Sequence, residues 1–331
     1  MSKHSDTFFQ LFSAGVQRQG PLWLLIFCLA PALVHADAPL REPEITALLA
    51  QGNIVLSPDV AAVMPVEQSV RQIRRIGLEN DGRRIRAALR DKSVRIDARD
   101  KGGERYHDAY YNEVAAYVVA RYLGLHIVPT TVLRDVFISA RGLDPADKPL
   151  RASLQLWIEN SRVEYDLDED EFPGDPAHRR QQLKEIRLFD CLIGNVDRHQ
   201  GNLLVDFSPR YAAGADSADP SAAYLGKIWA IDHTKAFHGS ARLSGRDCQL
   251  SKIRTEPVSL QFVQGLRAWR LAELEDKLRE SGLSPRQIGR LNLEKMDRRR
   301  EKLLKHLDAL CQDADLSDES CFSSGLWHQV W

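Results

Sequence analysis

The chain has 331 residues, of which 44% are apolar and 27% are charged. This composition is that of a globular protein with a sizeable core, and it excludes a fibrous or wholly disordered chain. Lys and Arg total 45 against 46 Asp and Glu, for a net charge of −1, which lacks the basic excess of a typical nucleic-acid-binding protein. No nucleic-acid partner is therefore expected, and any basic site must be local.

The amino-terminal segment has the pattern of a secretory signal. Residues 21–34 (PLWLLIFCLAPALV) carry no charge, and this run is shorter than the roughly 20 apolar residues that a transmembrane helix needs. Small residues follow in 34–38 (VHADA), at the spacing that a signal peptidase recognises. Residues 1–36 are therefore predicted to be a signal peptide that exports the chain, to the periplasm or out of the cell. The alternatives are an uncleaved signal-anchor that tethers the chain to the membrane and a buried hydrophobic helix.

Cysteine usage agrees with an oxidising compartment. Of the five cysteines, Cys28 leaves with the signal, and an even number remains. Cys311 and Cys321 lie close together in a polar tail that a disulfide between them would close. Spacing does not settle whether Cys191 and Cys248 pair, and four free thiols are the alternative.

The first half of the chain combines strands with one helix. Residues 37–64 have no clear pattern and are interpreted as an N-terminal arm. Residues 72–96 alternate apolar and polar side chains around Asn80-Asp81-Gly82, which predicts a β-hairpin. Residues 107–125 (HDAYYNEVAAYVVARYLGL) have apolar side chains at helical spacing and a stop at Gly124, which predicts an amphipathic helix. Segments rich in strand-forming residues follow at 128–133 and 152–158.

The second half is mostly helical. A helix with an apolar face is predicted over 180–193, and two short strands at 203–205 and 228–231 flank a segment rich in Ala, Gly, Ser, Asp and Pro. One helix is predicted over 260–281. Another is predicted from the N-cap Ser284 and Pro285 to residue 311, and its run Arg298-Arg299-Arg300 is interpreted as a solvated face. Strands first and helices later indicate an α+β fold.

The residues that indicate chemistry lie between 189 and 232. Asp197 and Asn202 share the loop GNVDRHQGN, and Asp232 directly follows the strand at 228–231. Phosphoryl transfer requires one carboxylate at the attacking hydroxyl, and an amide plus a second carboxylate to hold Mg²⁺ on the nucleotide phosphates. These three residues are therefore predicted to face one cleft. The alternative for Asp197 is a turn residue whose carboxylate bonds its own backbone.

The string FDCLIGNVDRHQGNLLVD, followed by WAIDHTKAF, resembles the catalytic and metal-binding loops of the phosphatidylinositol 3-/4-kinase-like superfamily, which includes HipA-type and secretory-pathway kinases. The resemblance extends over roughly residues 73–237. It implies a two-lobed protein-kinase-like fold, with a small β-rich N-lobe that contains one helix at 65–158 and a larger, mostly helical C-lobe at 159–331.

The resemblance also implies roles for the residues of the two loops. Asp197 corresponds to the catalytic base, and Asn202 and Asp232 correspond to the ligands of Mg²⁺ or Mn²⁺. Arg198 and His199 correspond to residues that shape the loop or face the phosphates.

Nucleotide binding is implied for three further places. Glu113 corresponds to the helix glutamate that pairs with a phosphate-binding strand lysine. The adenine of ATP would bind at the hinge strand, which comprises Leu156, Trp157, Ile158 and Glu159. At the position of the strand lysine this chain has Arg90, with Lys92 two residues on and, by strand alternation, on the same face. Arginine binds phosphate through two donors but is not a conservative exchange for lysine, so the choice between Arg90 and Lys92 stays open.

The pattern and the resemblance together predict an ATP-dependent kinase that transfers the γ-phosphoryl group to a hydroxyl. Its acceptor, whether a protein, lipid, sugar or small molecule, is not specified by the residues. One alternative is a secreted pseudokinase that binds a nucleotide or a partner, which the arginine at position 90 motivates. Another is transfer of AMP instead of phosphate, because a fold alone does not determine the chemistry.

Overall fold

The computed structural model describes residues 40–55, 73–97, 105–138, 145–208, 226–239, 248 and 258–323. The predicted signal peptide at 1–36 lies outside these residues. Across the described ranges, no helix combines the length and the apolar character needed to cross a bilayer.

The helices and strands follow in chain order. The helices are α1 (Glu42–Gln51), α2 (Tyr110–Tyr122), α3 (Pro176–Ile193), α4 (Leu260–Ala268), α5 (Leu271–Glu280), α6 (Pro285–Ile288), α7 (Leu293–Asp313) and α8 (Asp318–Cys321). The strands are β1 (Asn53–Val55), β2 (Arg74–Asn80), β3 (Arg83–Arg90), β4 (Ser93–Asp97), β5 (Arg105–Ala109), β6 (Thr131–Ile138), β7 (Pro145–Leu156), β8 (Ser161–Val163), β9 (Leu203–Asp206) and β10 (Lys227–Ala230).

The small lobe is built on a five-stranded antiparallel sheet in the order β1-β2-β3-β7-β6. The predicted hairpin is confirmed as β2 and β3. Asp81 and Gly82 occupy its turn with φ of 50° and 75°, and positive φ at both central positions is what a tight type I′ turn requires. β3, the middle strand, ends at Arg90 and pairs with β7 so that Arg90 lies opposite Ser153.

The segment without a clear sequence pattern contributes to this lobe. β1 pairs with β2, and Leu49 of α1 is fully buried in the core of the sheet. Polar contacts reinforce the packing, since Arg83 pairs with Glu44 at 2.8 Å and Arg134 donates to the carbonyl oxygen of Gly52 at 2.8 Å. Short, partly polar elements such as these are stabilised by the sheet they meet, which is why local periodicity did not show them.

The helix α2 contacts the strands β6 and β7 of the sheet, and its buried residues join the larger apolar cluster. Its buried face includes Val114 and Val119, which share one cluster with Phe189 and Leu192 of α3. The sheet has a separate core. The predicted helix at 107–125 is thus confirmed over a shorter range, because residues 105–109 pair with β4 as the strand β5.

Two predicted long helices are each interrupted. The helix expected over 260–281 is divided into α4 and α5 at Trp269, whose side chain is only 4% exposed, and the amide of the next residue, Arg270, donates to the Tyr122 hydroxyl at 2.8 Å. The N-cap Ser284 is confirmed, with a capping box to Gln287. The helix it starts ends at residue 288, and α7 begins after Asn292, which has a φ of 51° and donates to the carbonyl oxygen of Phe237 at 2.9 Å.

The interpretation of the arginine run as a solvated face is wrong for Arg299. This side chain is 1% exposed and donates to the carbonyl oxygens of Leu192 at 2.8 Å and His238 at 3.2 Å. Burial lowers the pKa of Arg299 to about 10. Arg299 thereby ties α7 to the end of α3 and to the segment that follows β10.

All four cysteines after Cys28 form disulfides. Cys311 and Cys321 are bridged with a Cα–Cα distance of 5.7 Å, as expected from their place in the tail. Cys191 in α3 is bridged to Cys248 at 5.5 Å, the pairing that spacing left open. The alternative of four free thiols is therefore excluded in this structure.

Candidate active site

The segment 194–202 forms a loop that its own side chains hold closed. α3 ends because Gly194 adopts the left-handed conformation, with a φ of 66°. Asn195 donates to the carboxylate of Asp190 at 2.8 Å and accepts from the amide of Asp197 at 3.1 Å. Asn202 then donates through Nδ2 to the carbonyl oxygen of Asp197 at 2.9 Å. Asp197 and Asn202, predicted to share a cleft, are thus linked directly.

The Arg198 side chain lies inside this loop and is 9% exposed. Its guanidinium donates to both carboxylate oxygens of Asp190, at 2.8 and 3.1 Å. The same group donates to the carbonyl oxygens of Asn202 and Ile231, at 2.5 and 2.6 Å. It also contacts Nε2 of His233 at 2.9 Å. Arg198 therefore joins the two backbone segments that carry the predicted metal ligands, a loop-shaping position.

Arg90, Glu113 and Asp232 meet from three separate elements. Arg90 Nη1 donates to Asp232 Oδ1 at 3.0 Å, and Arg90 Nε lies 3.4 Å from Glu113 Oε1. The three side chains are 12%, 1% and 20% exposed, in the order Arg90, Glu113, Asp232. Burial lowers the pKa of the Arg90 guanidinium, but the carboxylates of Asp232 and Glu113 outweigh this effect and raise the pKa above its usual value. A permanent cation thus lies between two carboxylates where the sheet meets the large lobe.

The first turn of α2 holds the segment that follows β10. Glu113 accepts the backbone N–H of His233 at 3.1 Å. Asn112, 2% exposed, donates to the carbonyl oxygen of Thr234 at 2.6 Å, and the Thr234 hydroxyl donates to Asp232 Oδ1 at 3.0 Å. Asp232 itself adopts a positive φ of 57°, which is uncommon outside glycine. Asn112 is a positioning residue that sequence reasoning missed, because its contacts with the segment after β10 are to backbone atoms more than a hundred positions away.

The carboxylate of Asp197 is paired with Lys235. Lys235 Nζ lies 2.5 Å from Asp197 Oδ2, and the side chains are 20% and 28% exposed. The carboxylate is therefore engaged with another loop, and the alternative of a purely local turn residue does not describe it. Sequence reasoning missed Lys235. A basic residue three positions after Asp232 was the one feature of the sequence that could have pointed to it.

Two further predicted residues, Lys92 and His199, lie exposed. β3 ends at Arg90, so the alternation that would place Lys92 on the same face does not extend to it, and Lys92 lies exposed in the connection to β4. The His199 ring accepts a hydrogen bond from the amide of Gly201 at 3.1 Å and is exposed. His199 thus caps the short turn of its own loop.

The predicted hinge follows β7 directly. The amide of Trp157 donates to the carbonyl oxygen of Arg86 at 2.9 Å, which uses that amide within the sheet. Ile158 is buried, with 7% exposure, and Glu159 forms an ion pair with the side chain of Arg86. The Arg75 guanidinium stacks over the Trp157 ring at 5.3 Å. This short connection between the lobes is held by contacts on both sides.

The side chains predicted to bind a divalent cation are those of Asn202 and Asp232. The amide of Ile231 donates to the carbonyl oxygen of Asn202 at 3.1 Å, so the two backbones run side by side. In the ranges that the structure describes, no group of three or more His, Cys, Asp or Glu side chains forms a metal site. An amide oxygen and one carboxylate match a Mg²⁺ or Mn²⁺ that takes its remaining ligands from nucleotide phosphates and water.

Comparisons with known sequences match part of the chain. No protein-family model matches the chain. Protein Rv2133c of Mycobacterium tuberculosis is 26% identical over 162 residues, which cover 40% of this chain and 48% of that protein. The chain thus spans about half the length of the curated relative that it matches.

Solved structures match over a larger share of the chain. Hydra Fam20 with sugar has a TM-score of 0.54 at 11% identity and covers 85% of this chain and 93% of its own. The Golgi casein kinase has a TM-score of 0.50 at 16% identity, with 82% and 77% covered. Its complex with Mn and ADP has the same score and identity, with 85% and 78% covered.

The chain has a protein-kinase-like fold. The predicted α+β class with two lobes is confirmed by these similarities. The small lobe differs from the expected one in one respect, since α1 packs into the core of the sheet as a second helix in addition to α2. The cluster of Arg90, Glu113 and Asp232 lies where the sheet, α2 and the segment after β10 of this fold meet.

Proposed function

We propose that the protein is an ATP-dependent phosphotransferase that moves the γ-phosphoryl group to a hydroxyl acceptor. The observation that carries the proposal is the meeting of Arg90, Glu113 and Asp232, together with a closed loop that joins Asp197 to Asn202. Catalysis of phosphoryl transfer depends mainly on positioning and charge stabilisation. The side chains of these five residues are the candidates for positioning the reactants and for stabilising charge.

Each residue has a distinct role in the proposed reaction. Arg90 binds oxygens of the α- and β-phosphates, and Glu113 keeps its guanidinium oriented. Asp197 orients the acceptor hydroxyl, whose oxygen attacks the γ-phosphorus while the bond from that phosphorus to the β–γ bridging oxygen breaks. The acceptor proton passes to the Asp197 carboxylate and then to solvent, and ADP leaves.

Asn202 and Asp232 would hold Mg²⁺ or Mn²⁺, which when bound supplies positive charge to the phosphates. Arg198 acts on both ligands by fixing the carbonyl oxygens of residues 202 and 231. The adenine is proposed to lie against the hinge of Trp157, Ile158 and Glu159. His199 and Lys92 have no assigned contact with the nucleotide in this arrangement.

The fold supports the proposed reaction class. The similar solved structures include a protein described as the Golgi casein kinase, once with Mn and ADP bound. We infer the same kinds of ligand, ATP and a divalent cation, for this chain. The finer assignment to the phosphatidylinositol 3-/4-kinase-like superfamily rests on the motif residues between 189 and 237.

Export is proposed on two grounds. The first is the signal-like segment at 1–36, and the second is the pair of disulfides, which persist in oxidising compartments. The acceptor is proposed to be a hydroxyl compound of a class that the site does not distinguish.

Nucleotide binding and transfer are tested separately. The purified chain, with its disulfides intact, is heated with MnCl₂ and ATP, and ligand binding should raise the melting temperature. Asp232→Asn should abolish this rise, because the negative charge of the one carboxylate ligand is lost. Asp197→Asn should keep the rise but abolish ADP production from ATP. Turnover by Asp232→Asn at the rate of the unchanged protein would refute the mechanism.

The same assays decide between the alternatives. A rise in melting temperature without ADP production by the unchanged chain, with a panel of protein, lipid, sugar and small-molecule acceptors, would favour the pseudokinase. Mass spectrometry of the modified acceptor identifies the transferred group. An added nucleotide would replace the kinase proposal with AMP transfer.

A further inference from the structure

The cation nearest to the proposed base comes from outside its loop. Lys235 Nζ contacts Asp197 Oδ2 at 2.5 Å, and Lys235 follows the proposed metal ligand Asp232 by three residues. Both members of the pair are partly exposed, at 20% and 28%. The ammonium group therefore lies between the two loops on a surface that solvent and ligands can reach.

The basic residues of the Asp197 loop have other partners. Arg198 is engaged by Asp190, by two backbone carbonyl oxygens and by His233. The His199 ring accepts from the amide of Gly201. Charge compensation at Asp197 thus falls to Lys235 among the contacts of the described residues.

The position of Lys235 is set by its neighbours in the turn. Asn112 donates to the carbonyl oxygen of Thr234, and the Thr234 hydroxyl donates to Asp232 Oδ1. The amide of Ala109 also donates to the carbonyl oxygen of Thr234, at 2.9 Å. Because this turn is tied to α2, the distance from the Lys235 backbone to the carboxylate of Asp232 is held.

A structural role does not account well for the pair. An ion pair between partly exposed side chains contributes little net stability, since solvent screens it and ordering a lysine costs entropy. A partly exposed ammonium next to a proposed base has a chemical use instead. It can contact the oxygens of a phosphoryl group that carries more charge during transfer.

We propose that Lys235 is a catalytic residue that contacts the γ-phosphoryl group while it holds Asp197 in place. This inference rests on the proposed function. The ammonium donates hydrogen bonds to a γ-phosphate oxygen and to Asp197 Oδ2. The other carboxylate oxygen of Asp197 then faces the acceptor hydroxyl and takes its proton.

The experiment compares Lys235→Met and Lys235→Arg with the unchanged chain. Lys277→Met, an exposed lysine of α5, is the matched control. One measurement is the dissociation constant for ADP and for a non-hydrolysable ATP analogue with Mn²⁺, which needs no acceptor and no turnover. The other is the rate of ADP production from ATP.

The proposal expects a loss of γ-phosphate recognition. Lys235→Met should bind ADP within about threefold of the unchanged chain and bind the ATP analogue about tenfold more weakly, and its kcat should fall roughly 10²-fold. Lys235→Arg should recover part of both losses, and Lys277→Met should lose neither. The melting temperature without nucleotide should stay nearly the same, because the pair is partly exposed.

Two results would overturn the assignment. An unchanged ratio of ATP-analogue to ADP affinity in Lys235→Met would show that Lys235 does not contact the γ-phosphate. A large fall of its melting temperature without nucleotide would show a structural brace. Failure of the proposed function is recognised separately, as the absence of any transfer by the unchanged chain, and the affinity ratio still tests Lys235 in that case.

Discussion

Replacing Arg198 by Lys separates a loop-shaping role from contact with phosphate. The guanidinium makes two hydrogen bonds to Asp190 and one each to the carbonyl oxygens of Asn202 and Ile231, besides its contact with His233. A lysine ammonium keeps the positive charge beside Asp190 but cannot present the planar fork that reaches the other partners at once. The substitution therefore tests the hydrogen bonds that need the shape of the guanidinium, and it leaves the charge unchanged.

The size of the effect follows from the bonds lost. Hydrogen bonds that involve a charged group contribute about 1.5–3 kcal/mol each, so losing the two bonds to carbonyl oxygens should cost about 2–4 kcal/mol after partial compensation by water. For a domain of this size, that corresponds to a fall in melting temperature of about 5–10 °C. Arg198→Ala should cost more, about 3–5 kcal/mol, because it leaves the buried Asp190 carboxylate without its cation.

The assay is urea denaturation of the nucleotide-free chain with both disulfides intact, followed by titration with Mn²⁺ and ATP. Arg180→Lys, on the exposed face of α3, is the control and should unfold like the unchanged chain. If Arg198 shapes the loop, stability falls in the absence of any nucleotide. An unchanged urea midpoint combined with lost ATP affinity would refute this reasoning and place the side chain on the phosphates.

Three further predictions concern other parts of the chain. Replacing Cys311 and Cys321 together by Ser should lower the free energy of unfolding by about 2–3 kcal/mol, since the unfolded tail gains freedom; an equal urea midpoint would contradict this. Burial raises the pKa of Tyr117 from its ordinary 10.0 to about 12. The folded chain therefore keeps a proton that the unfolded chain releases, so this contribution to stability is complete below about pH 10 and is lost as the pH rises towards 12. Tyr117→Phe should flatten the fall in stability between these pH values, and parallel curves would disprove the assignment. Glu113→Gln keeps an acceptor for the backbone but removes a charge beside Arg90, so the dissociation constant of Mn-ATP should rise about tenfold, or roughly 1.4 kcal/mol; calorimetric titration giving an unchanged constant would argue against the ion pair.

Local patterns predicted the elements whose signals lie within a few residues. The turn of the β2–β3 hairpin needs two positive φ angles, and Asp81-Gly82 supplies them. The N-cap Ser284 likewise bonds to Gln287 within one turn. The interruption at Asn292 was not predicted, because it depends on a bond to the carbonyl oxygen of Phe237 in another segment.

The candidate site likewise contains residues that the local sequence predicted and residues that it did not. Asp197, Asn202 and Asp232 were predicted as site residues from the sequence, because each follows or precedes a short apolar segment in a spaced motif. Sequence alone did not distinguish Arg90 from Lys92, since the distinction depends on where β3 ends. It also missed Lys235, whose partner Asp197 lies on a different loop.

The sequence by itself determined the α+β class, the hairpin and the helices α2 and α3, and it predicted a site at the three oxygen-bearing residues of the two loops. These follow from periodicity, capping and motif spacing, which act over short stretches of chain. Only the tertiary structure decided that Arg198 is enclosed by its own loop, that Arg299 is buried and that Lys235 meets Asp197. Burial and ion pairing depend on which distant segments approach one another, and a near-neutral total charge therefore gave no sign of the cations that these carboxylates engage.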